Sequence, residues 1–98
     1  MKRFSYALAL MAALSAGCAA TSLNASVTAL RRDLAAIDAD RALVCAPREL
    51  ASARAHLEFA EDDCGTRRYL SCENDVRQAR EDIAKIREYL ERCGAGDD

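Results

Sequence analysis

The sequence predicts an all-α protein built on a disulfide-stapled antiparallel helical hairpin, about residues 47–64 and 71–93, with a preceding helix at about 23–44. Three observations carry that prediction. The composition is half apolar without aromatic bulk: 51% of the 98 residues are hydrophobic, mostly Ala and Leu, and 31% are charged, with no Trp and one Pro. Apolar residues recur at alternating steps of three and four along most of the chain, the period of a helix with one buried stripe. Cysteines stand where two such stripes would meet if antiparallel. The same composition excludes a β-sandwich, a Rossmann domain and a P-loop domain, because β-branched runs and Gly-rich turns are missing. A net charge of −2 leaves no basic footprint for nucleic acid.

The N-terminus reads as an export signal. Lys2 and Arg3 precede the apolar run Ala7–Leu14, which is too short to span a bilayer. Leu14-Ser15-Ala16-Gly17-Cys18 then resembles the lipobox of bacterial lipoproteins, with Ser15 replacing the usual Leu. The resemblance implies that the Cys18 thiol is diacylated and that the chain is cut before it; the alternative is an ordinary signal peptide with an incidental cysteine. Ala19, being other than Asp, implies outer-membrane sorting in a Gram-negative envelope. The expected division is therefore a removed signal peptide at 1–17, a lipidated tether at 18–22, a helical domain at 23–93 and an acidic tail at 94–98. Three acyl chains, palmitate among them, would anchor the protein firmly at the periplasmic face, since one chain alone binds only marginally. Cleavage would remove two basic residues and no acid, leaving 12 basic against 16 acidic side chains, a net −4.

The preceding helix carries Leu23, Val27, Leu30, Leu34, Ile37 and Val44, with Arg41 in the missing seam position. Only Cys45-Ala46 separates it from Pro47, so it either folds back tightly or runs on with a bend. Leu50, Ala53, Leu57, Ala60 and Cys64 form the seam of the next helix, which Pro47 suits as a first-turn residue. Cys72, Val76, Ala79, Ile83, Ile86, Leu90 and Cys93 form a coiled-coil-like seam on the last. Gly65 and Gly94 follow seam cysteines in the manner of C-terminal caps.

Facing residues of an antiparallel pair have a nearly constant sum of positions. Leu50 with Ile86, Ala53 with Ile83, Leu57 with Ala79, and Ala60 with Val76 each sum to 136. Cys64 with Cys72 also gives 136, and Cys45 with Cys93 gives 138. A Cys45–Cys64 bond would have to bridge about 28 Å of helix, against the ~6 Å a disulfide allows. The expected pairs are Cys45–Cys93 and Cys64–Cys72, as befits an oxidising compartment.

Competing chemistry is weakly signalled. A zinc site with His56 would want closely spaced cysteines, and a redox enzyme would want C-x-x-C; neither spacing occurs. No metal or cofactor is expected. His56 reads as a boundary residue, Ser52 and Ser71 have no evident His partner, and no nucleophile–base pair is apparent, so an enzyme is not expected. Arg67-Arg68-Tyr69 reads as a solvated turn that could also meet an acidic or carbohydrate surface. Ala51, Ala55 and Phe59 recur every four residues, away from the seam. Either the preceding helix covers that stripe, completing a three-helix bundle, or the stripe is a contact for a partner.

Cys45-Ala46-Pro47-Arg48-Glu49-Leu50, followed by Ala53, His56-Leu57 and Ala60, resembles the Ala-rich helical domain of unknown function found in Gram-negative envelope lipoproteins, often ahead of OmpA-like domains. The resemblance spans about residues 25–93 and implies a helical envelope module with no known catalytic residues. The two staples depart from that pattern. Peptidoglycan binding is not supported, because the chain shows no cell-wall-binding segment and its tail Gly94-Ala95-Gly96-Asp97-Asp98 lacks a terminal Lys. The expected function is that of a non-enzymatic structural or protein-interaction lipoprotein bound to the membrane by its lipid. The alternative is a binding module for a glycan, lipid or small molecule of the envelope.

Overall fold

A computed structural model describes residues 20–95, the side chains of 94 and 95 aside. The expected signal peptide, Cys18 and the last three residues of the expected acidic tail lie outside the described residues. The chain forms α1 (20–35), α2 (Ala39–Cys45), α3 (Pro47–Gly65) and α4 (Tyr69–Ala95). No strand occurs among the described residues.

The hairpin follows the seam rule. Leu50, Ala53, Leu57, Ala60 and Cys64 of α3 are buried together with Cys72, Val76, Ala79, Ile83 and Ile86 of α4. Ala53, Ala60 and Ala79 are wholly inaccessible. Alanine at these rungs lets the two backbones approach closely, while Leu50, Leu57, Ile83 and Ile86 fill the core between them. Both staples form as expected: Cys45–Cys93 with Cα atoms 5.9 Å apart, and Cys64–Cys72 with 5.3 Å. Each closes one end of the hairpin.

The expected helix over 23–44 is broken. Residues 36–38 leave the helix, and Asp38 caps the next one, its carboxylate accepting from the N–H groups of Asp40 (3.1 Å) and Arg41 (3.3 Å). The break resets the helical phase. Ala42, not Arg41, turns inward, and Val44, expected in the seam, is 81% exposed. Arg41 instead donates from Nη2 to the Leu90 carbonyl at 3.1 Å, tying α2 to α4. From Ala42 the buried positions run through Ala46 to Leu50 and Ala53, so α2 is in phase with α3.

The chain reverses at 36–38, and at Ala46 it runs on from α2 into α3 with a bend. That residue is non-helical (φ −148°, ψ 56°), yet its N–H donates to the Ala42 carbonyl and its own carbonyl accepts from Leu50. Pro47 then opens α3 without losing a hydrogen bond. At the other end, Thr66 caps α3 and Arg67 takes the left-handed conformation (φ 64°) expected of a glycine; Gly65 does not. The α4 helix continues through Gly94 to Ala95, so Gly94 is not its cap.

The first arm lies in the groove between α3 and α4. Val27 and Leu30 are buried there, with Leu23, Leu34 and Ile37 packed beside them. Arg31 pairs with Glu61 of α3, and Asp33 lies 3.8 Å from Arg87 of α4. Thus α1 runs antiparallel to α3 and parallel to α4, and the fold is a three-helix bundle. Residues 20–22, expected in the tether, already belong to α1.

Candidate functional site

The bundle leaves two faces of α3 for solvent or partners. At 100° per residue, Arg54, Glu58 and Glu61 point toward α1, Ala51, Ala55 and Phe59 point outward, and Ser52, His56 and Asp63 line the flank opposite α1. The expectation that the first helix covers Ala51, Ala55 and Phe59 is corrected. Ala51 and Phe59 are exposed, Phe59 by 57%, and Ala55 is half-buried. The reason is the choice of bed: the Leu/Val/Ile stripe of α1 meets apolar side chains from both α3 and α4 in the groove, whereas the outer face of α3 offers mainly alanine methyls. The stripe thus ends as an apolar strip on the outside of a stapled helix, with the Phe59 ring edge-on to His56 at 6.4 Å between centroids.

The flank beside it is polar and tightly paired. Ser52 donates to Asp82 Oδ2 at 2.7 Å, and His56 Nδ1 lies 3.1 Å from Asp75 Oδ1. Asp75 and Asp82 are each only 9% exposed, unusual for carboxylates. Asp63 completes the row: desolvation, and then the hydrogen bond and charge of Asp75, hold its carboxyl above the usual carboxylate range, against a weaker opposing effect of Arg68. His56 therefore has an orienting group and Ser52 an acceptor, neither of which the sequence reading assigned. Among the described residues, every buried side-chain polar atom has a hydrogen-bond partner. The chemistry available is that of an interhelical clamp, since Ser52 gives its proton to Asp82 and bonds no histidine.

Open grooves flank α1. One, about 420 Å³, is bordered by Arg31, Leu34, Ile37, Arg54 and Leu57; the other, about 410 Å³, by Ser22, Leu23, Glu73, Val76 and Arg80. Both are open to solvent and rimmed by arginine and glutamate, unlike the enclosed apolar pockets that hold small ligands. All four cysteines of the described residues are in disulfides, and no group of three or more His, Cys, Asp or Glu side chains is placed there to hold a metal ion. No helix among the described residues is long and apolar enough to cross a membrane. The turn between α3 and α4 presents Arg67, Arg68, Tyr69 and Leu70 to solvent, Leu70 by 85%.

Comparison with known proteins finds no matching family model, no matching curated protein and no matching solved structure.

Proposed function

We propose that the protein is a non-enzymatic lipoprotein of the bacterial envelope, anchored through Cys18 at the periplasmic face of the outer membrane, where it presents a rigid helical surface to another envelope protein. The observation that carries this reading is the exposed Ala51–Ala55–Phe59 strip. It lies on a helix whose other sides are fixed by a staple at each end, by α1 and by the Ser52–Asp82 and His56–Asp75 clamp. A surface held this way loses little conformational entropy on binding, which favours an interaction role. The two cysteine staples suit an oxidising periplasm, and the lipobox-like Leu14–Cys18 segment supplies the anchor.

The test is a photo-crosslinking residue at Phe59 in living cells, with one at Glu91 as an exposed control. A discrete adduct specific to position 59, lost when Ala55 is replaced by Asp, supports the reading. Identical adducts from both positions, or none, overturn it. Phe59→Asp itself should change stability by no more than about 0.5 kcal/mol, as surface substitutions do. Unfolding by that change would make the strip part of the core instead.

A further inference from the structure

The position of α1 decides which end of the bundle faces the membrane. Asp33 meets Arg87, and Leu23 shares a groove with Val76, so α1 runs beside α4 with an offset of 53–54 residues. Ala20 accordingly lies level with residues 73–74. Leu70 is one helical turn further along α4, about 6 Å at 1.5 Å per residue. Cys18 is two residues before Ala20 and so cannot be more than about 7 Å from it, whatever path the chain takes. The start of α1, where a lipid on Cys18 would be tethered, and the α3–α4 turn are therefore at the same end of the bundle, while Val44 and the Cys45–Cys93 staple are at the other.

That end has the chemistry of an interfacial contact. Leu70 is the most exposed large apolar residue described, and Tyr69 beside it is 39% exposed with a phenol that suits the headgroup region. Arg67 makes no ion pair among the described residues, and Arg68 makes only a 4.0 Å approach to Asp63. Leucine and tyrosine beside two arginines on one turn combine an apolar side chain, an amphipathic ring and cationic groups, the set that suits a phosphate-bearing surface.

We propose that the Arg67-Arg68-Tyr69-Leu70 turn rests on the anionic phospholipid surface, with Leu70 in the acyl boundary and the arginines on lipid phosphates, so that the bundle stands upright on its anchor. The inference rests on the lipoprotein reading, and the upright stance would hold the Ala51–Ala55–Phe59 strip clear of the membrane.

The chain has no Trp, which allows a single reporter to be introduced. Leu70→Trp and, separately, Val44→Trp are made in the full-length gene, and the acylated proteins are purified from envelopes. Each is placed in vesicles of phosphatidylethanolamine and phosphatidylglycerol with brominated acyl chains. Leu70→Trp emission should shift to the blue and be quenched, and the quenching should fall when phosphatidylglycerol is omitted or when Arg67 and Arg68 are both replaced by Glu. Val44→Trp should emit as in water. If the proteins are acylated and sediment with vesicles but Leu70→Trp also emits as in water, the turn does not touch lipid and this proposal alone fails. A blue shift without vesicles would assign Leu70 to a contact between protein chains and overturn it too. If Cys18 carries no lipid, the lipoprotein reading fails and the proposal falls with it.

Discussion

Opening the outer staple should be the most damaging single disconnection in this fold. Replacing Cys45 and Cys93 by Ala together removes a bond across 48 residues. The chain-entropy relation for a loop of that length gives a loss of about 4 kcal/mol at 25 °C, against about 2.5 kcal/mol for the 8-residue separation of Cys64 and Cys72. The loops are nested, but shortening the outer one by the inner bond changes its value by only about 0.2 kcal/mol. Both outer cysteines are half-buried, so little packing is lost with their sulfurs. A domain of this size shifts by about 6 °C per kcal/mol, so Tm should fall by about 24 °C. Circular dichroism melts of the non-reduced proteins read this directly, and amide exchange at Ala42 and Ala46 should quicken most, because α2 then keeps only Arg41 on the Leu90 carbonyl and its own buried alanine. A loss below about 1 kcal/mol would refute the reasoning, since it would mean that the unfolded chain is not freed by the cut.

The polar flank makes predictions of opposite sign. Ser52→Ala strands the Asp82 carboxylate and should cost about 2 kcal/mol, whereas Ser52→Ala with Asp82→Leu should recover most of that loss; urea titrations of the two variants decide it. Asp63 binds its proton more tightly folded than unfolded, so it favours the folded state at low pH, and its contribution to stability falls as pH rises above the ordinary carboxylate value of 3.8. Asp63→Asn, which can still donate to Asp75, should therefore remove that fall and gain stability on wild type toward neutral pH, as melts across a pH series would register. Ala79→Leu, at a rung with no accessible surface, should destabilise by about 1–3 kcal/mol by forcing α3 and α4 apart.

The hairpin was legible because a single physical constraint, the constant sum of facing positions, governs both its apolar rungs and its cysteines. Leu50, Ala53, Leu57 and Ala60 can meet Ile86, Ile83, Ala79 and Val76 rung by rung only in the register that puts Cys64 beside Cys72. The break at 36–38 was less visible, although Arg41 in a seam position signalled it and Ile37-Asp38 carries an N-cap. Reading Asp38 as a cap would have moved the inward position to Ala42 and put Val44 in water. The clamp of Ser52, His56 and Asp63 with Asp82 and Asp75 was missed because charged residues beside a seam usually stay hydrated. Extending the sum rule outward would have found two of its pairs, since 52 with 82 gives 134 and 63 with 75 gives 138, but not His56 with Asp75, which gives 131. Where α1 lies was beyond the sequence, because its stripe suits either a groove or an alanine face, and only the packing of two helices against it separates the choices.

The central claim is a twice-stapled bundle carried on a lipid at Cys18, and the intact mass of the native protein from an envelope fraction tests it most directly. The account predicts a chain that begins at acylated Cys18 and takes up alkylating reagent at four cysteines only after reduction. A chain without lipid, or cysteines alkylated freely before reduction, would contradict it.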